Sequence, residues 1–272
     1  KTSLNISIPI TPLYYSSSSL NGTFYAEANV GAQISLGILD ETLEPDVQGA
    51  SVGLTTDTSI YLKTGIEKKL AIGYGTEILE ATLPFVGEGT LYVGTKVSFY
   101  NLELSKQITR LEDLDGEEVA DVMQDEYDNN LESSTGIGID LGAVWDTKRY
   151  RVGARLQNIN EPSFDYGPLG INCETRGTIT EINSCEAARL FIADGRLKQR
   201  EKHVKNALLS LDFGLKVTDR LSVNGTYDTA AYNDIVGYSV QMLNLSMAYD
   251  TKGFLIPDFR VGYQANLTGT ET

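Results

Sequence analysis

One histidine, one tryptophan, two cysteines and seven prolines are all that 272 residues contain of these types. The scarcity of histidine and cysteine excludes function classes. His203 by itself cannot supply a His-based triad, and neither a G-x-S-x-G elbow nor a Walker loop occurs, so the expectation is a protein that is not an enzyme. A structural zinc site takes four ligands, usually Cys and His, so no metal and no cofactor is expected. No run approaches the ~18 apolar residues of a transmembrane helix. Basic residues are scarce relative to acids, 22 against 37 for a net charge of −15, which is the wrong sign for a phosphate backbone and excludes nucleic acid as an expected partner.

What the chain has in quantity is alternation. Between residues 207 and 268, Leu209, Leu211, Phe213, Leu215 and Val217 point one way and Ser210, Asp212, Gly214 and Lys216 the other. A turn at Thr218, Asp219 and Arg220 leads into Leu221, Val223, Gly225 and Tyr227, then Leu243, Leu245, Met247 and Tyr249, and finally Phe259, Val261, Tyr263, Ala265 and Leu267. Earlier segments repeat the pattern at 4–10, 24–38, 70–79, 91–99, 137–145 and 150–156. A soluble sandwich alternates in the same way, but its strands average ~5–6 residues. These reach the ~9–11 that a tilted strand needs to cross a bilayer, and Gly, Ser, Asn and isolated charges occupy their polar face. The fold expected is all-β, a transmembrane antiparallel up-and-down β-barrel of about ten strands in a single domain over residues 1–272. Residues 40–69 carry no firm assignment, since Pro45, Gly49 and Gly53 interrupt them. Trp145 and Tyr150 flank a short turn, as aromatics of a membrane-interface girdle do.

Two connections stand out. In residues 109–133 the period changes to helical spacing at Val119, Val122, Tyr127 and Leu131, with ten acids between Glu112 and Glu132. Calcium-loop spacing is absent, so this is expected to be an acidic helical loop with a solvated face. Residues 161–205 form a long loop holding Cys173 and Cys185, expected to be disulfide-bonded and hence in an oxidising compartment. Its end is basic at Arg189, Arg196, Lys198, Arg200, Lys202 and Lys205, either simply solvated or touching lipopolysaccharide phosphates. Lumen-facing candidates are Asp140, Arg151, Arg155, Asp212, Lys216 and Arg260; Arg151 and Arg155 either line water or pair with acids such as Asp140 and Asp212, pairing being favoured. Short turns such as 146–149 and 218–220 are expected on the periplasmic side and both long loops outside. No signal peptide opens the chain at Lys1, where a strand pattern is already under way, so removal of a leader is expected.

The run 138–145, the following 150–156, and above all Asn158-Ile159-Asn160-Glu161-Pro162-Ser163-Phe164 resemble the strand, short turn, strand, N-x-x-x-P-x-F signature of the TraF-like outer-membrane family of plasmid conjugal-transfer operons. That family is similar in architecture to FadL-type channels for hydrophobic compounds. The resemblance implies a bacterial outer-membrane protein in contact with lipid and lipopolysaccharide, with either a porin-like or FadL-like role for a small or hydrophobic solute, or a structural role beside conjugation or secretion proteins. It carries over no catalytic residue. The ending at Gly269, Thr270 and Glu271, without a terminal aromatic strand, implies a barrel incomplete at its ends.

Overall fold

The structure is a computed structural model that describes residues 2–17, 21–42, 44–48, 51–83, 87–114, 124, 126–251 and 258–269. Ten strands form its main sheet: β1 (Thr2–Ser17), β2 (Gly22–Leu39), β3 (Ser59–Leu83), β4 (Gly87–Arg110), β5 (Leu131–Asp146), β6 (Tyr150–Gln157), β7 (Leu208–Lys216), β8 (Leu221–Asp228), β9 (Met242–Tyr249) and β10 (Phe259–Asn266). They pair in chain order, each antiparallel to the next, so the sheet is an up-and-down meander. The sheet is curled and open, like half a barrel, with β1 and β10 as its edges. The alternating segment at residues 4–10 lies in the edge strand β1. The uncertain residues 60–69 belong to β3, paired along their length with β2 and β4.

Register carries one apolar face across all ten strands. Leu70 pairs with Phe99 and Phe99 with Ile137, Leu211 with Tyr227, and Leu245 with Tyr263. Ile8, Val30, Leu70, Phe99, Ile137, Leu156, Leu211, Tyr227, Leu245 and Tyr263, one from each strand, are all exposed on the convex side. Aromatics gather on the same side near the short connections: Phe24 beside Tyr74 with rings 4.8 Å apart, Trp145 and Tyr150 about the turn, and Tyr249 opposite Phe259. The concave side carries the polar partners of each strand, and every inward candidate lies on it.

Connection lengths segregate by end. Short links join β1 to β2, β3 to β4, β5 to β6, β7 to β8 and β9 to β10 at one end of the sheet. At the other end lie the described residues of 40–58 and 111–130, together with 158–207 and 229–241. The first of these holds a hairpin of Glu44–Gln48 with Ser51–Thr55, the third one of Ser163–Asp165 with Lys202–Val204, and the fourth one of Tyr232–Asn233 with Ser239–Val240. In the acidic connection a 3-10 turn spans Glu112–Leu114, and Gln124 and residues 126–129 are helical; Val119 and Val122 of the expected helix lie outside the described residues. Glu126 is buried and accepts from the Asn130 amide, so this part of the segment is not a freely solvated face.

The long connection contains a helix that residue alternation does not reveal, α1 (Ile179–Ala193). Thr178 caps it, its hydroxyl accepting from the Glu181 amide while the Glu181 carboxylate accepts from the Thr178 amide, a reciprocal capping box. Cys185 on α1 is disulfide-bonded to Cys173 in a 3-10 turn, Cys173–Thr175, with Cα atoms 5.4 Å apart. Ala187, Ala188 and Phe191 of α1 pack with Ile108 of β4 and Leu169 in one core cluster.

Candidate functional site

The concave face and the chain folded onto it form the site, and β4 shows how the sequence builds it. Along its lower half the outward residues are Leu91, Val93, Thr95, Val97 and Phe99 and the inward ones Tyr92, Gly94, Lys96, Ser98 and Tyr100. Past Tyr100 the faces exchange character: Asn101, Glu103, Ser105, Gln107 and Thr109 occupy the outward parity, the last three buried as well, with the Ser105 hydroxyl donating to the Tyr127 carbonyl, while inward Leu102, Leu104 and Ile108 are buried. The exchange coincides with the level at which residues 158–207 cover the sheet.

The N-x-x-x-P-x-F stretch makes that entry. Asn158 and Glu161 adopt left-handed backbone conformations (φ 48° and 45°), which turn the chain sharply where β6 ends. The Asn160 amide then substitutes for a strand, its nitrogen donating to the Ile137 carbonyl at 2.6 Å and its oxygen accepting from the Ile139 amide at 2.9 Å. Asn158 donates its backbone N–H to Asp140 at 2.8 Å and accepts the Tyr100 hydroxyl through its side chain. Phe164 is fully buried against Gly136, where a Cβ would sit 2.8 Å from the ring, and meets Tyr100 edge-on. Tyr166 donates its hydroxyl to the carbonyl of Ile235, so residues 158–207 and 229–241 are fastened together over Leu102 and Leu104. Burial raises the Tyr166 phenol far above its ordinary value, which keeps it protonated as a donor.

Ion pairs hold this plug. Lys63 meets Glu201 at 2.6 Å and also lies over the Tyr166 ring; Lys106, completely buried, meets Glu201 at 3.8 Å and donates to the Lys198 carbonyl. Lys205 reaches Glu67 at 2.5 Å above the Tyr100 ring. Most of the loop's basic residues are engaged in the same way: Arg196 with Asp40 and Glu41, Arg189 with Glu174 and Glu186, and Lys202 with Asp165. His203 is 7% exposed beneath the Phe164 ring, and burial, reinforced by Lys205 and Lys63, lowers its pKa to about 4.

Below the plug a charge ladder crosses four strands. Glu27 of β2 lies 3.1 Å from Lys69 of β3 and 3.6 Å from Lys96 of β4, and Lys96 meets Asp140 of β5 at 2.9 Å. The pairing favoured from the sequence, Arg151 or Arg155 with Asp140 or Asp212, is therefore not the one formed. Register accounts for the Lys96 to Asp140 pair. Lys96 stands directly opposite Asp140, whereas Arg155 faces Gly142 and Ser210, and Asp212 faces Gly153 and Thr226, whose hydroxyl it accepts at 2.9 Å. Lys216 faces Ser222 and Arg260 faces Ala248, so these inward cations also lack a carboxylate opposite them. Between plug and ladder lies a polar cavity of about 290 Å³ whose wall includes Glu67, Lys96, Asp140, His203 and Lys205. Sequence reading found Asp140 but missed Glu27, Lys69 and Lys96; their inward parity was legible, their partnership was not.

No metal-ligating cluster occurs among the described residues. No curated protein matches the chain. The family model described as F plasmid transfer operon, TraF, protein matches residues 1–228, ending with β8. The asparagine-proline-phenylalanine stretch that turns residues 158–164 into the concave face lies within that match, and the chain belongs to this TraF family.

Proposed function

We propose that the protein is a non-enzymatic, structural or assembly component of a conjugation or secretion apparatus, seated in the bacterial outer membrane as a plugged β-barrel. The observation that carries the reading is the exchange of faces on β4. From Leu91 to Phe99 the apolar side points outward over about 27 Å of strand at ~3.4 Å per residue. Tilted by ~35–45°, that length approaches the ~25 Å apolar band of an outer-membrane barrel. Where it ends, the apolar side turns inward onto residues 158–207. A soluble sheet would cover the Leu70, Phe99 and Ile137 surface instead of exposing it, since large contiguous apolar patches mark an interaction surface.

In a bilayer the free edges of β1 and β10 must be paired, because unpaired backbone groups have no water to turn to, so the half-barrel works there as part of a closed wall. The loop end, with α1 tied by its disulfide, is then a rigid surface for other proteins of the apparatus. Family membership supports this reading over a channel for hydrophobic solutes, and the Glu27, Lys69, Lys96, Asp140 ladder supports it too, since it offers a hydrophobic solute no apolar path. Reconstitution into planar bilayers, together with mating assays on a deletion strain, tests it. The expected outcome is no stable porin-sized conductance, with transfer frequency reduced and restored by complementation. A steady open channel with unchanged transfer would overturn the proposal.

A further inference from the structure

Inward cations divide into two groups. On β3 and β4, Lys63, Lys69, Lys96, Lys106 and Arg110 each lie within 3.8 Å of a carboxylate. On β6, β7 and β10, Arg151, Arg155, Lys216 and Arg260 make no ion pair among the described residues. Arg155 still has acidic company, for Glu27 and Asp140 share the wall of its hollow. The other three do not. Arg151, Lys216 and Arg260, joined by Arg149 from the turn, surround a separate hollow of about 370 Å³ at the short-connection end, with Asp146 the one carboxylate in its wall. Asp146 stands opposite Arg151 in register, yet the two side chains are not within ion-pair distance. The inward-facing surface between the cations is small or polar, Gly214, Ser222, Asn224, Ser246 and Ala248, with Leu215 and Met247 also in the wall.

A chain with net charge −15 has acids enough to neutralise these positions, as it does on β3 and β4. Leaving them uncompensated over a floor of small or polar residues makes a basin of positive potential, and a concave wall focuses such a field. We propose that this basin binds a small multivalent oxyanion, a molecule carrying two or more phosphate or carboxylate groups. Guanidinium groups present paired donors that match either oxyanion bidentately, and the Lys216 ammonium adds a point charge between them. The inference stands on the concave face alone and goes beyond the proposed assembly role.

Calorimetric titration of the full chain in a non-ionic detergent, with sodium pyrophosphate and with citrate at matched ionic strength, tests it. Saturable single-site binding is expected, and which of the two binds tells whether phosphate or carboxylate is preferred. Arg151→Gln and Arg260→Gln should each weaken binding about tenfold or more, as loss of a charge-assisted contact does, while Arg155→Gln should change it less than about twofold. Thermal unfolding of each variant should match the parent, and Lys216→Gln replaces any that does not. Absence of saturable binding, an equal loss in Arg155→Gln, or tighter binding of a tetraglutamate peptide than of either small anion would overturn the proposal.

Discussion

Register favours some charge pairs on this sheet without deciding all of them: Glu27 and Lys69 pair diagonally, whereas Asp146 and Arg151 stand opposite each other and do not pair. Lys96 and Asp140 pair because they are cross-strand neighbours; Arg155, offset from Asp140 by one step, does not displace Lys96. His203 shows the cost of burial without a partner for charge. Its pKa of about 4 lies below the ordinary ~6.5, so the unfolded chain binds more protons between those values. Stability linked to this residue is fully present above pH ~6.5 and is lost as the pH falls through ~6.5 toward 4. The penalty on the plug at pH 5 is about 2 kcal/mol by linkage. Hydrogen exchange of residues 163–166 and 202–204 should therefore accelerate between pH 7.5 and 5 after correction for intrinsic rates, and His203→Gln should flatten that dependence. An unchanged profile in the variant would show that another group loosens the plug.

At the scale of elements, the strands were legible because each carries its own evidence: alternation at 24–38 gave β2, and 91–99 gave the lower half of β4. The upper half of β4 was not, since Leu102, Leu104 and Ile108 become apolar on the opposite side and break the pattern that marks the strand. α1 escaped for a related reason. Its signals, Thr178 and Glu181 at capping-box spacing and the buried Ala187, Ala188 and Phe191, sit in a segment that alternation treats only as a connection. Among the site residues, inward parity identified Arg151, Lys216 and Arg260, but the ladder and the Lys63 to Glu201 pair required register and a loop conformation that no local pattern encodes. β7 offers a direct test of the faces. Leu211 is exposed on the convex side and Asp212 lies on the concave side, bonded to Thr226. In a membrane barrel a charge at the lipid-facing midplane costs ~2–4 kcal/mol, whereas lumen positions tolerate change. Leu211→Arg should reduce the folded, membrane-inserted yield several-fold and Asp212→Ala should not, as read by protease resistance of membrane fractions. Equal losses would mean that the convex face does not meet lipid.

The whole molecule is polarised along the strand axis: short connections at one end, and at the other the acidic segment, the disulfide turn and α1, interlocked through Asn129 with Glu181 and Arg176 with Asn130. Structure places the turn at Thr218–Arg220 and the Cys173–Cys185 loop at opposite ends, as alternation of five short and four longer connections requires. Outer-membrane barrels expose long loops to the exterior and short turns to the periplasm, so under the proposed membrane seating the polarity of the fold would set its orientation. A single added cysteine then reports orientation, because the native pair is bonded and no described cysteine is free. Asn172 is exposed in the long-loop end and Asp219 in the β7–β8 turn. Asn172→Cys should react with a membrane-impermeant maleimide on intact cells, and Asp219→Cys should react only after the outer membrane is permeabilised. The reverse pattern would invert the proposed topology, and labelling of both in intact cells would place the protein outside the membrane wall.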